Sequence, residues 1–131
     1  MQDSKKFDAV LLLLRLTFGG LILINHGFGK MMQLFTGDPT KFADLFGLGA
    51  PVTLSLAIFA EFFCAIFVIL GLFTRWAVMP LIIMLLVAVF KIHFHDPFAA
   101  KELAIVYLIP YLCLLLAGAG WYSLDARIRK V

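Results

Sequence analysis

Residues 51–73 read PVTLSLAIFAEFFCAIFVILGLF, and in these 23 positions the single charged residue is Glu61. About 20 apolar residues in helical conformation cross the roughly 30 Å hydrocarbon core of a bilayer. The run is continuously apolar, without the alternation of a barrel strand, so it reads as a transmembrane helix. Three more such stretches lie around it, at about residues 7–28, 76–94 and 103–121. The helical pattern of the first continues through Lys30, Met31 and Met32 to Phe35.

The whole chain agrees with that stretch. Of its 131 residues 63% are hydrophobic and 15% charged, with a mean hydropathy of +1.04. A soluble domain has about 45–50% apolar and about 25% charged residues, so a water-covered enzyme, a nucleic-acid binder and a disordered chain are excluded. The expected architecture is all-α: a single domain over residues 1–131, with four membrane-spanning helices. A short interfacial helix is expected between the first two spans, where Asp38-Pro39 reads as an N-cap with proline at N1 and Phe42, Leu45 and Phe46 form one apolar face. Lys5 and Lys6 before an apolar run resemble a secretory signal. Arg15 interrupts that run and no small-x-small site follows, so the segment reads as a retained span.

Four spans place both termini on one side. That side carries Lys5, Lys6, Arg75, Arg127, Arg129 and Lys130, against Lys30, Lys41, Lys91 and Lys101 on the other. The excess predicts cytoplasmic termini, with Trp76, Trp121 and Tyr122 in the aromatic belt of that face. Cys64 and Cys113 lie in apolar runs without C-x-x-C spacing and read as inert.

Ionisable residues inside spans are expensive, about 2.5–3.5 kcal/mol each at a helix centre on insertion scales, and usually face the bundle interior. Arg15 counts as about 12 Å deep in the first span and Glu61 as about 18 Å deep from the same face, at 1.5 Å per residue. Those depths predict an Arg15–Glu61 pair. At about 100° per residue, Gly19, Ile22, His26, Gly29 and Lys30 fall within about 60° of Arg15, giving the first helix one polar stripe punctuated by glycine. Ala57 and Ala65 flank Glu61 on its own face.

His93, His95, Asp96, Lys101 and Glu102 gather with His26 at the outer mouth in this topology. Histidines and carboxylates suit a metal, but His93 and His95 are two apart and diverge on a helix. No metal site is therefore assigned. The imidazoles fit proton exchange or the holding of quinone oxygens better.

The segments Leu14-Arg15-Leu16, His26-Gly27-x-x-Lys30, Glu61, Leu70-Gly71-Leu72-x-Thr74-Arg75, His93, Glu102 and Gly118-x-Gly120-x-Tyr122-Ser123-Leu124-Asp125 resemble the DoxX family of small bacterial membrane proteins. The likeness extends over all four spans, with two departures: Cys64-Ala65 stands where a small pair usually follows the glutamate, and Trp121 where a basic residue is common. The resemblance implies a four-helix protein of the bacterial inner membrane linked to redox chemistry. Its relatives include the DoxD subunit of a thiosulfate:quinone oxidoreductase, proteins of quinone detoxification and oxidative-stress complexes, and companions of enzymes that modify copper-binding peptides.

The expected function is a quinone-linked oxidoreductase component or accessory subunit. Arg15, His26, Lys30, Glu61, His93 and Glu102 are its candidate quinone-binding residues, and His26, Glu61 and His93 its candidate catalytic ones. The chain carries no haem-attachment, iron–sulfur or dinucleotide motif, so electrons are expected from a partner protein or diffusible carrier. The alternative is a non-catalytic anchor or assembly subunit for a redox or peptide-modifying enzyme. A small-molecule transporter ranks third, since no internal symmetry is visible.

Overall fold

The computed structural model describes residues 2–37, 47–92 and 94–130. The expected interfacial helix at Asp38–Phe46 and the candidate His93 lie outside the described residues. What is described is helical, without a strand.

The first helix, α1 (residues 2–36), is unbroken but not uniform. α-Helical Gln2–Leu14 passes into a π turn at Arg15–Gly19, returns to α at Gly20–Ile22, widens again at Leu23–Gly27, and ends as Phe28–Thr36. The expectation that helix continues through Lys30 to Phe35 is met. α2 (Ala50–Leu70) starts after Gly49 and Pro51 and contains a π turn at Phe59–Cys64. α3 (residues 74–92) ends in a third-helix π turn, Ala88–Ile92. α4 (Phe98–Ala117) is followed by the short α5 (Leu124–Lys130).

Among the described residues three helices are long and apolar enough to cross a membrane: Ser4–Phe35, Ala50–Leu70 and Thr74–Lys91. With 20 residues, α4 is about 30 Å long at 1.5 Å per residue. The surface is built for lipid. Leu116 is 82% exposed and Phe35, Phe98 and Ile24 are also exposed, whereas Arg15, Thr53, Glu61, Thr74 and Ser123 are buried. Apolar groups outside and polar groups inside make a stable object only in a bilayer.

α2 and α3 are joined by a Schellman turn, in which Leu72 N–H donates to Phe67 O at 2.9 Å and Gly71 N–H to Val68 O at 3.1 Å. Gly71 takes the left-handed conformation this turn needs (φ 71°), and its missing side chain matters too: a Cβ there would strike Ser123 and the Arg15 guanidinium. We call this the turn end of the bundle. The other end, where α1 finishes and α2 begins, is the loop end.

α1 and α2 run antiparallel with Gly27 against the Glu61 backbone and Gly19 against Ile69. A Cβ on Gly27 would collide with Glu61 O, so this glycine sets how closely the two helices cross. Gly29, which the uniform 100° count puts on the polar stripe, instead faces open space. Each π turn inserts residues relative to α-helical pitch and rotates everything beyond it, which brings Gly27 to the interface. Ala57 and Ala65, expected beside Glu61, are both fully buried.

Candidate functional site

The buried polar residues form two separate groups. At the turn end, Arg15 is 1% exposed and sits level with the end of α2. Its guanidinium donates to Ile69 O at 3.0 Å, Val68 O at 3.5 Å and Tyr122 O. Backbone carbonyls of a last helical turn lack intrahelical partners and carry the negative end of the helix dipole, so a cation is well placed there. Asp125 complements it from the other side. Its carboxylate accepts from Phe73 N at 2.7 Å and Thr74 N at 3.0 Å, capping α3, while its own N–H donates to Gly71 O at 2.8 Å. Arg75 treats α4 similarly, donating to Leu116 O at 3.3 Å. The Leu70–Arg75 and Gly118–Asp125 motifs are therefore the two halves of one latch.

The expected Arg15–Glu61 pair is not formed. The depth count took both helices to enter the membrane at one level, but α1 overhangs the turn end of α2. Arg15 consequently lies opposite Gly71, ten residues or about 15 Å along α2 from Glu61.

Glu61 finds another cation. Lys30 Nζ lies 2.9 Å from Glu61 Oε2, and His26 Nδ1 is 4.0 Å from the same oxygen. Side-chain exposure falls from 34% at His26 through 21% at Lys30 to 9% at Glu61. α4 supplies an aromatic wall. The Tyr107 ring stands edge-on to His26 at 5.9 Å and to Phe18 at 6.0 Å, and stacks on Tyr111 at 6.5 Å. Tyr111 O–H donates to Phe18 O at 2.7 Å, and the Asn25 side chain meets the Tyr107 hydroxyl. His26 lies in the π turn of Leu23–Gly27 and Glu61 in that of Phe59–Cys64, a helical irregularity common at functional sites.

Three of the candidate residues thus converge, His26, Lys30 and Glu61, while Arg15 is held in the latch. Glu102 is exposed near the start of α4, outside this cluster, and His95 packs against Phe94 at 5.0 Å. Among the described residues no three of His, Cys, Asp and Glu come together to hold a metal. Cys64 is buried and Cys113 exposed, both free. The sequence reading missed Tyr107, Tyr111 and Asn25. Their signal was present: two tyrosines at i, i+4 in an apolar helix place two hydroxyls on one face, and buried tyrosines need partners.

The cluster offers a carboxylate, an ammonium, an imidazole and a phenol beside flat rings, which suits hydrogen bonding to the oxygens of a planar apolar molecule and exchange of protons with it. A family model described as DoxX matches residues 10–94, more than half of the chain, taking in α1 from residue 10 onward, all of α2 and the described part of α3. A comparison with curated proteins gave no match. A comparison with solved structures gave none either.

Proposed function

Because the chain belongs to the DoxX family, we propose that it acts as the quinone-binding component or accessory subunit of a membrane oxidoreductase, with Lys30, Glu61, His26 and Tyr107 as the site. The observation that carries this reading is the Lys30–Glu61 pair, joined by His26 and walled by Tyr107, within apolar helices. Reduction of a quinone takes two electrons and two protons. Lys30 and the His26 imidazole donate hydrogen bonds to a quinone oxygen, and Glu61 and His26 hold the protons. Electrons come from a partner protein or a diffusible carrier. In this reading α4 is the fourth span, both termini are cytoplasmic, and the bacterial inner membrane is the location. His93 remains a candidate second ligand.

The latch favours a second reading, a non-catalytic anchor, in that both terminal nitrogens of the Arg15 guanidinium donate to backbone carbonyls. One set of variants separates the two. Protein purified in mild detergent is extracted with organic solvent for quinone, and decylubiquinone binding is titrated. Quinone binding by the wild type that falls at least tenfold in Glu61→Gln and Lys30→Met supports the site. Absence of both native and added quinone binding, with Arg15→Ala alone abolishing accumulation, leaves the anchor.

A further inference from the structure

We propose that the quinone reaches Glu61 sideways from the bilayer, through the seam between α1 and α4, with Asn25 and Tyr107 as its entrance. This rests on the quinone reading above and adds a route and two residues to it. α1 packs on α2, α2 on α3 and α3 on α4, but close backbone contact between α1 and α4 is concentrated in residues 2–19 of α1. Farther toward the loop end, side chains bridge the two helices: Tyr107 reaches His26, and Asn25 reaches the Tyr107 hydroxyl.

Asn25 is exposed. It lies two residues before Gly27, which packs on Glu61, and Glu61 stands near the middle of Ala50–Leu70. An amide there faces the hydrocarbon at mid-depth, where polar groups are found when they line a pathway or a protein contact. Behind it exposure declines in order from His26 through Lys30 to Glu61. The groups met from the lipid are the exposed Asn25 amide, then an imidazole edge, an ammonium and a carboxylate, with the buried Tyr107 phenol lying against the imidazole.

That order selects the occupant. An ion or sugar does not dissolve in hydrocarbon and cannot approach from this side. An uncharged planar ring with oxygens at its rim does dissolve there. It can accept a hydrogen bond from the Asn25 amide or the Tyr107 hydroxyl on entry and exchange it for Lys30 and His26 inside. Tyr107 separates the seam from the interior and is the side chain that must turn to admit a ligand.

The test places a plug after folding. In a Cys113→Ser background, Asn25→Cys is labelled in detergent with pyrene maleimide, reconstituted into phosphatidylcholine/phosphatidylglycerol nanodiscs, and followed for decylubiquinone uptake. Ile83→Cys, at an exposed position on α3, is labelled as the control. Uptake slowed at least tenfold by the label at 25 and unchanged by the label at 83 supports the seam. Equal uptake by labelled and unlabelled Asn25→Cys overturns the route and leaves the quinone site standing. No uptake by the unlabelled parent overturns both. A thiol at 25 that refuses the label, being covered by a second copy, overturns the route too.

Discussion

The latch at the turn end and the cluster around Glu61 are both buried polar groups on the same pair of helices, yet they are satisfied in opposite ways. Arg15 spends its donors on backbone carbonyls of two segments, Val68–Ile69 and Tyr122. Those acceptors are fixed by the fold and have no other state. Glu61, Lys30 and His26 answer one another with side chains, at graded exposure. Side chains can exchange a partner for a ligand, whereas helix-end carbonyls cannot move without the helix. A buried charge held by backbone is therefore architecture, and one held by another side chain is available for chemistry.

The comparison breaks most visibly at Arg15. Arg15→Leu strands the Ile69 and Tyr122 carbonyls, while Val68 O keeps the Gly71 N–H, and a loss of about 1–3 kcal/mol for each stranded acceptor is expected. It is read as a large fall in the detergent melting temperature and in membrane accumulation. Arg15→Lys recovers little, since an ammonium lacks the guanidinium fork. At the cluster the order reverses. Glu61→Gln loses about 1.5–3 kcal/mol of ligand interaction, a fall of roughly ten- to a hundredfold in quinone affinity by titration. Pairing it with Lys30→Met restores melting temperature but not binding, as a double-mutant cycle shows when the lost term is an unpaired charge.

Glycines sharpen the same contrast at lower energy. Gly27→Ala drives a methyl into Glu61 O, with an expected loss of about 1–3 kcal/mol from overpacking, measured by thermal melting. Tyr111→Phe removes the 2.7 Å bond to Phe18 O and is expected to cost about 1 kcal/mol in the same assay. Gly29→Ala enters open space and raises helix propensity. A gain of up to about 0.5–1 kcal/mol is expected, the smallest effect of the series and opposite in sign to Gly27→Ala.

Apolar runs made the helices legible, and the price of intramembrane charge picked out Arg15, His26, Lys30 and Glu61. Who pairs with whom was not legible. Depth counted along one helix says nothing of how far that helix overhangs its neighbour, and α1 overhangs α2 enough to carry Arg15 to the Gly71 turn. A uniform 100° rotation also cannot anticipate two π turns, which is why Gly29 was placed on the inner face and Gly27 was not. The tyrosines were overlooked because aromatic residues in an apolar helix look like filling; only the partners of their hydroxyls, on another helix, distinguish them.

Arg15 also sets a schedule for biosynthesis. Its acceptors lie 53, 54 and 107 residues farther along the chain. At about 5–20 residues per second, the ribosome delivers Tyr122 roughly 5–20 s after Arg15 has emerged. For the first half of that interval no acceptor of Arg15 has been made, and until Tyr122 follows Val68 and Ile69 the set stays incomplete, so the arginine must wait at the headgroups or beside an insertase. The bundle is thus assembled from both ends inward, with its first helix seated for good only when the Tyr122 segment arrives.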